Sequence, residues 1–338
     1  MSFVPLDHKA AGHDGTLQSA DGSLFSKPTL QREIDFYNSV QTLAQQQPED
    51  APLGSSLIDW MPGYYGILTP GITDELKDKA PAGQQIDGEL TKKAKETVQK
   101  SGKEKQYVVL ENVLHGFKKP SILDVKLGSV LYDETANADK VERMKKVSAE
   151  TTSGSLSFRI CGMKISDDFN GKLPDDMGDL EISEVAKAEG GYITFDKFYG
   201  RRLTKETAKD GLKAFFKHNN LPPKVQKIII DNFIKRLQLI YNCILDTEVR
   251  IIAGSLLFVY ENDLERWEKL NYEEPLIHER LVTEDGEDDD EVEIKIDDAP
   301  LSTLKFIDFA HAKHVPGKGY DEELAKGVEN LLSILEGF

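Results

Sequence analysis

The segment Pro120–Gly128 carries the most chemistry, because its sequence PSILDVKLG follows the pattern PxxxDxKxG. If the segment is extended, side chains alternate, so Asp124 and Lys126 face one side while Leu123 and Val125 face the other. The carboxylate could accept hydroxyl hydrogens or a proton, and the ammonium could neutralise a phosphoryl group during transfer. An exposed ion pair on a strand has the same spacing.

Two further positions could complete a phosphoryl-transfer site. The apolar segment that starts at Leu304 reaches Asp308, and a strand-end aspartate is where many nucleotide kinases hold Mg²⁺. Lys27 ends a strand that follows a glycine-rich turn, so it could pair with the phosphates of ATP, and Glu33 on the next helix could orient it. Taken singly, Asp308 also fits a turn cap, and Lys27 fits an ordinary surface lysine.

A basic segment at about residues 134–148 predicts a helix with one cationic side. Its cations share an arc of about 120°, and they are Lys140, Arg143 and Lys146. Val141 and Met144 occupy the neighbouring arc. The helix could therefore be anchored by its apolar side and present the cations to a ligand with several phosphates. A solvated charged face has the same pattern.

These residues must be positioned by a mixed fold. Strands dominate early and helices late, which predicts an α+β chain with two lobes, residues 1–110 and residues 111–338, joined by a hinge at 111–114. Other predicted elements are helix 31–46 and strands 107–110, 156–165, 192–199, 255–260 and 304–309. A helix is also predicted where apolar residues recur in steps of three and four, at Ile229, Phe233, Leu237, Ile240 and Ile244.

The order of these features is that of a kinase. The features follow one another along the chain in this order: glycine turns, a strand lysine, a helix glutamate, a polar insertion at about 71–105, a connector, the Asp/Lys motif, a basic helix and a strand-end aspartate. The backbone of the connector could bind adenine. The H-R-D catalytic loop and the D-F-G triplet of protein kinases are both missing from the sequence, and Asp308-Phe309-Ala310 replaces the triplet.

On these residues the chain resembles the inositol polyphosphate kinase family, most closely its fungal multikinases. The resemblance spans nearly the whole chain except the stretches 71–105, 166–190 and 279–300. The matching segments are His8–Gly15, Pro120–Gly128, Thr151–Leu156, Phe158–Lys164, Tyr199–Arg201, Ser255–Phe258, Tyr260–Glu261, Ile307–His311 and Pro316–Asp321.

The resemblance implies a two-lobed fold similar to that of protein kinases, with ATP in the cleft between the lobes. It implies that Lys27 contacts the ATP phosphates and that the backbones of Glu111 and Val113 contact adenine. It also implies that Asp124 holds the ribose and shapes the catalytic site, and that Asp308 binds Mg²⁺.

The resemblance further implies an activity and its substrate site. Lys126 would contact the transferred phosphoryl group or the reactive hydroxyl, and the inositol phosphates would meet Lys140, Arg143, Lys164 and His311. Multikinases convert inositol 1,4,5-trisphosphate to tetrakis- and pentakisphosphates by 6- and 3-phosphorylation. The alternative within the family is an inositol trisphosphate 3-kinase, and the lack of a long basic calmodulin-binding helix in the sequence disfavours it.

The net charge of the chain limits the classes of partner that it can bind. A formal net charge of −17 argues against a general binder of nucleic acid or anionic membranes. Most of that charge lies in two acidic loops, residues 166–190 with net −6 and residues 284–298 with net −9, whereas residues 118–164 carry net +3. A local cationic site for a small phosphorylated ligand is therefore compatible with the composition.

The acidic tract 284–298 suggests an alternative from another class of protein. It holds ten acidic residues and one lysine, and such tracts bind basic surfaces by charge or simply keep a loop solvated. The chain could accordingly act mainly as a non-catalytic nuclear scaffold that docks a basic partner, such as a transcription factor.

The remaining features predict the compartment. Cys161 and Cys243 lie far apart, which favours buried free thiols over a disulfide or a zinc site. The N-terminus lacks the layout of a signal peptide, and no apolar run approaches the ~20 residues of a membrane span. The expected location is the nucleus and the cytoplasm.

Overall fold

The computed structural model contains two antiparallel sheets that follow one another along the chain. It describes residues 3–5, 15–48, 50–68, 106–170, 172, 184–277 and 299–338. The polar insertion at 71–105, the tract 284–298, most of the acidic segment 166–190 and the segment His8–Asp14 lie outside the described residues.

The first sheet has five strands in the order β1-β2-β3-β5-β4. Its strands are β1 (Phe3–Pro5), β2 (Leu17–Ser19), β3 (Leu24–Thr29), β4 (Tyr64–Leu68) and β5 (Gln106–Glu111). The helices that accompany it are α1 (Gln31–Ala44) and α2 (Leu57–Trp60). In this sheet β3 pairs with β5, so Lys27 lies opposite Val108 in the middle of the ladder.

The second sheet has six strands in the order β12-β11-β6-β7-β9-β8, and a two-stranded ladder joins β10 to β13. The strands are β6 (Pro120–Leu127), β7 (Phe158–Ser166), β8 (Ala186–Glu189), β9 (Tyr192–Phe195), β10 (Val249–Ile251), β11 (Ser255–Glu261), β12 (Ser302–Ile307) and β13 (Ala312–His314). The strand β6, which carries the Asp/Lys motif, is central, so its flanking strands hold it on both sides.

The helices of the second part pack around this sheet. They are α3 (Ala138–Ala149), α4 (Thr152–Leu156), α5 (Lys197–Arg202), α6 (Ala208–Lys217), α7 (Pro223–Asp246), α8 (Leu264–Lys269) and α9 (Glu322–Leu335). The apolar positions predicted for α7 are all buried in one core with α9, α6 and β11. No helix in the described part of the chain combines the length and the apolar character needed to cross a membrane.

Several predicted boundaries were wrong, and side-chain caps explain why. The basic helix begins at Ala138 rather than near 134, because Asn137 caps it by accepting a hydrogen bond from the Lys140 N–H. The strand predicted at 192–199 ends at Phe195, because Asp196 caps helix α5. The acidic segment 166–190 is not loop throughout, since it ends in β8. Cys243 is buried as predicted, but Cys161 is only half-buried.

Helix α1 packs directly onto the segment that follows β12. The ring of Phe36 stacks on Phe309 with centroids 5.2 Å apart and on His314 with centroids 5.1 Å apart. The edge of Phe309 also meets the ring of Tyr37, which is 1% exposed. These aromatic contacts fix α1 relative to residues 308–314, and the site depends on that placement.

Candidate active site

The side chains of the motif alternate between the two faces of strand β6, as predicted. Leu123 and Val125 are fully buried in the core, whereas Asp124 and Lys126 share the opposite face of the strand. The register with β7 shifts between Asp124 and Val125, where β7 carries Cys161 as an extra residue. The motif therefore lies on a central strand beside a bulge in β7, and it is not an ion pair on an exposed edge.

The environment of Asp124 is unusual for a carboxylate. Its side chain is buried, and its Oδ1 has no hydrogen-bond partner among the described residues. Burial raises the pKa of Asp124 to about 6, with the nearby charge of Lys126 acting against the shift and that of Asp308 adding to it. A buried acceptor without a partner is a position where a ligand hydroxyl or metal-bound water would be stabilised.

Lys126 is held by the backbone next to the motif. Its Nζ donates to the carbonyl oxygen of Ala253 at 2.5 Å, and Ala253 has a left-handed φ of 57°. Arg159 on β7 lies opposite Lys126 in register, and its Nη1 donates to Ser153 Oγ at 2.8 Å. Sequence reasoning did not select Arg159, although its position on a strand next to the motif strand was a usable signal.

A second cluster joins the first sheet to the second. The Nζ of Lys27 lies 2.7 Å from Asp308 Oδ1 and 2.9 Å from Glu33 Oε1. Burial alone would lower the pKa of Lys27, but the two carboxylates outweigh it and raise the pKa above its ordinary value. Glu33 also accepts from the Phe309 N–H at 3.2 Å and from Thr29 Oγ1 at 2.6 Å. The predicted orientation of Lys27 by Glu33 is thus present, and Lys27 is not an ordinary surface lysine.

Asp308 is held in an unusual backbone conformation. Its φ is 67°, a left-handed value that is uncommon outside glycine. This conformation directs a side chain that is 28% exposed toward Lys27, and its charge is felt at Asp124. Strained positions of this kind cluster at functional sites.

The two carboxylates fit a magnesium ion that keeps other ligands. In the described residues, no group of three or more His, Cys, Asp or Glu side chains is arranged to hold a metal. Mg²⁺ is commonly held by one or two carboxylates together with waters and substrate phosphates. Asp308, with the unpartnered oxygen of Asp124 nearby, supplies a donor set of that kind.

The connector 111–114, predicted to be the hinge, is fixed by Asn112, which lies between the two residues predicted to contact adenine. The Asn112 N–H donates to Ser23 O at 2.8 Å and its Nδ2 donates to Gly22 O at 2.7 Å. The Glu111 side chain turns away and accepts from the Gly63 N–H at 3.0 Å. No described residue accepts a hydrogen bond from the Val113 N–H, which leaves a backbone donor at the hinge.

The basic helix α3 stands on the surface. None of its residues is fully buried, but Val141 and Met144 on its apolar side are half-buried. Its attachment also includes a hydrogen bond of 2.7 Å from Ser148 Oγ to Ser129 O. Lys140 is half-buried and Arg143 is exposed. The helix thus offers cations to solvent, immediately after the strand that carries Asp124 and Lys126.

Lys164 lies nearer to the start of β6 than Lys126 does. Lys164 pairs in register with Ile122, two residues before Asp124 and toward the hinge end of β6. Its ammonium lies 4.5 Å from the ring centroid of Tyr192. The position beside Lys126 belongs to Arg159 instead, because the strands run antiparallel and the hinge end of β6 meets the far end of β7.

His311 lies near Asp308 and is already engaged. Its Nδ1 lies 2.5 Å from Asp133 Oδ2, and Arg32 Nη1 lies 2.6 Å from the same oxygen. Sequence reasoning selected neither Arg32 nor Asp133, because no local pattern relates residues about 100 and 180 positions apart. The three side chains link helix α1, the loop before α3 and the segment after β12.

The fold and the site define a class of protein. A buried strand lysine that contacts both a helix glutamate and a strand-end aspartate, with a short connector between two sheets, is an arrangement typical of kinases. The catalytic-loop signature of protein kinases is missing from the sequence, so the class is a kinase-like phosphotransferase of another family.

Comparison with known proteins identifies that family. The family model described as inositol polyphosphate kinase matches residues 107–336. The chain is 43% identical to the inositol polyphosphate multikinase of Saccharomyces cerevisiae, covering 100% of this chain and 99% of that protein. It is 31% identical to the Homo sapiens inositol polyphosphate multikinase, covering 76% of this chain and 51% of that protein. The chain belongs to the inositol polyphosphate kinase family.

A solved structure agrees with this assignment and with the predicted fold. The crystal structure of the inositol phosphate multikinase Ipk2 from S. cerevisiae, in complex with ADP and Mn²⁺, superposes with a TM-score of 0.69 at 39% identity. The match covers 94% of this chain and 99% of that chain. The predicted α+β, kinase-like fold is confirmed, and the chain is an enzyme of the kinase class.

Proposed function

We propose that the chain is an ATP- and Mg²⁺-dependent inositol polyphosphate multikinase. In this proposal it phosphorylates inositol 1,4,5-trisphosphate at the 6- and 3-hydroxyls, giving tetrakis- and pentakisphosphates. The observation that carries the proposal is the conjunction of the Lys27–Glu33–Asp308 cluster with Asp124 and Lys126 on β6. The exposed basic helix α3 follows that strand directly.

ATP would occupy the cleft beneath the hinge. The Val113 N–H has no acceptor among the described residues, so together with the backbone of Glu111 it suits the edge of an adenine ring. Asp124 suits the ribose hydroxyls. Lys27 is charged and rigidly held, which suits the phosphates. Asp308 would hold the Mg²⁺, which offsets the charge that develops on the oxygens of the transferred phosphoryl group.

The inositol phosphate would lie between β6 and helix α3. In this proposal Lys126, at the end of the motif, neutralises the phosphoryl group in transit. The phosphates already on the ring are bound by Lys140, Arg143, Lys164 and His311. Loose transition states for phosphoryl transfer ask little of a general base. Orientation and charge stabilisation by these side chains therefore account for most of the proposed catalysis.

The decisive experiment is an incubation of the full chain with ATP, Mg²⁺ and inositol 1,4,5-trisphosphate, with the product isomers resolved. The expected products are tetrakis- and pentakisphosphates phosphorylated at positions 6 and 3. Lys126→Ala should remove this turnover while the unfolding transition is kept, and the exposed Lys145→Ala on α3 is the matched control for loss of a lysine.

Each of the other outcomes contradicts the proposal. Normal turnover by Lys126→Ala would refute the assignment of the site. A single product phosphorylated at position 3 would identify a trisphosphate 3-kinase, the alternative within the family. If a folded chain that binds ATP formed no product, inositol 1,4,5-trisphosphate would not be its substrate.

We further propose that the tract 284–298 docks a basic protein such as a transcription factor, and that the chain resides in the nucleus and the cytoplasm. The support is the charge of the tract, ten acidic residues against one lysine. Deleting residues 284–298 should abolish binding to a basic partner without changing turnover of inositol 1,4,5-trisphosphate. Unchanged partner binding after the deletion would show that the tract only solvates a loop.

A further inference from the structure

The carboxylate of Asp133 lies where three parts of the chain meet. It is 7% exposed, and its Oδ2 lies 2.6 Å from Arg32 Nη1 and 2.5 Å from His311 Nδ1. Its Oδ1 accepts from the Thr135 N–H at 3.0 Å and from Thr135 Oγ1 at 2.7 Å. Both oxygens are therefore engaged, and the side chain has one defined orientation.

The chemistry of these contacts assigns the hydrogen on His311. Burial alone would raise the pKa of Asp133, but hydrogen bonds from Thr135 and His311 outweigh burial and hold the pKa below its usual range. An ionised carboxylate only accepts hydrogen bonds, so the contact at 2.5 Å is stabilising only if His311 Nδ1 carries a hydrogen. Arg32 Nη2 lies 2.7 Å from the same nitrogen and can only donate, so with a hydrogen on Nδ1 it makes no hydrogen bond to that nitrogen. In that arrangement the imidazole ring is oriented through Nδ1 by Asp133, and Arg32 is held by Asp133 Oδ2.

The position of Asp133 in the chain connects this cluster to both halves of the site. Arg32 directly precedes Glu33, which holds Lys27, and His311 lies three residues after Asp308. Asp133 itself precedes helix α3, which begins at Ala138 with the proposed phosphate-binding cations. A single buried carboxylate thus ties α1 and the segment after Asp308 to the start of the loop that leads to α3.

We propose that Asp133 is a positioning residue for the inositol-phosphate side of the site, acting by orienting His311 and by holding Arg32 of helix α1 against the same loop. The inference rests on the proposed function, because it takes His311 to contact an inositol phosphate. Asp133 touches neither ATP nor the reacting atoms in this account. Its loss should therefore weaken the use of inositol phosphate far more than the use of ATP.

The test is steady-state kinetics of the full chain with ATP, Mg²⁺ and inositol 1,4,5-trisphosphate for Asp133→Asn. The free energy that a hydrogen bond to a charged group contributes predicts that this substitution raises the KM for the inositol phosphate by about 10- to 100-fold. The KM for ATP should change less than about threefold. The matched control is Glu134→Gln, which removes the adjacent carboxylate, an exposed partner of Lys313 at 2.6 Å. It should behave as wild type.

A double-mutant cycle separates positioning from a general structural effect. If Asp133 acts through His311, Asp133→Asn should add little to the loss in kcat/KM caused by His311→Gln. Any of three results would overturn the proposal. The losses in kcat/KM caused by the two substitutions could be fully additive, or the KM values for ATP and for the inositol phosphate could change equally. The Asp133→Asn variant could also be indistinguishable from Glu134→Gln. Wild-type protein that fails to turn over the inositol phosphate would instead refute the proposed function.

A measurement on the wild-type chain keeps the proposal testable even if Asp133→Asn does not fold. Nitrogen-15 NMR of labelled histidine reports which ring nitrogen carries hydrogen, and the His311 signals can be assigned by their loss in His311→Gln. A hydrogen on Nδ1 is expected. A neutral His311 with hydrogen on Nε2 alone would show that the Asp133 contact does not orient the ring.

Discussion

Replacing Asp124 by asparagine should separate the stability of the ligand-free protein from its activity. The carboxylate is buried, one of its oxygens has no partner in the part of the chain that the structure describes, and burial raises its pKa from 3.8 to about 6. The folded state thus binds the proton more tightly than the unfolded chain does. Ionisation of Asp124 therefore destabilises the fold, and the neutral asparagine escapes this cost.

The size and sign of the effect follow from the two pKa values. Below the unfolded value of 3.8 both states are protonated, so ionisation contributes nothing. As the pH rises from 3.8 through 6, the unfolded chain ionises first and the wild-type fold loses stability. The advantage of Asp124→Asn should grow from about 1.5 kcal/mol at about pH 5 to about 3 kcal/mol at about pH 7.5.

The assay is urea unfolding of wild type and Asp124→Asn at both pH values, without nucleotide or metal. Asp50→Asn is the matched control, because Asp50 is exposed and its removal should change little at either pH. The variant should also be inactive, because the asparagine cannot provide the carboxylate. A variant less stable than wild type at about pH 7.5, or a difference that does not grow with pH, would refute the reasoning about the buried charge.

Three other perturbations test the surrounding structure. Glu33→Gln should lower kcat by about 10- to 100-fold, because buried Lys27 loses one of its two charged partners. The control is Asp35→Asn, which changes an exposed residue on the same helix. Equal kcat values for the two variants would contradict this prediction. Arg236→Met should lower the free energy of unfolding by about 3–5 kcal/mol, because the buried Glu274 carboxylate loses its cationic partner. Adding Glu274→Leu should recover much of that loss. Chemical denaturation measures both variants, and no recovery in the double variant would contradict the account. Arg143→Ala should raise the KM for inositol phosphate and weaken the salt dependence of that KM. It should leave the unfolding transition unchanged, because Arg143 is exposed. An unchanged salt dependence would exclude Arg143 from the site.

Much of this site was predictable from the sequence because its parts are local patterns. Alternation along a strand is a property of the backbone, so the shared face of Asp124 and Lys126 followed from their spacing. The pairing of Lys27 with Glu33 followed from their order in a kinase-like layout. Helix α7 was predicted by its period, and the structure buries those positions in one core.

Element ends were less predictable, because they depend on single side-chain hydrogen bonds. Asn137 and Asp196 each accept a hydrogen bond from a backbone N–H and thereby begin a helix. Several other residues of similar type lie nearby in the sequence, and only the folded chain decides which one acts as the cap. The start of α3 and the end of β9 were accordingly misplaced.

By itself, the sequence determined the kinase-like order of motifs, the family resemblance and the identity of the charged side chains. Only the tertiary structure decided which of those charges meet. It brought Arg32 and His311 onto the carboxylate of Asp133 across gaps of about 100 and 180 residues, and it paired Arg159 with Lys126. The physical reason is that strand register and helix packing are set by the whole core, whereas a sequence pattern reports only neighbours along the chain.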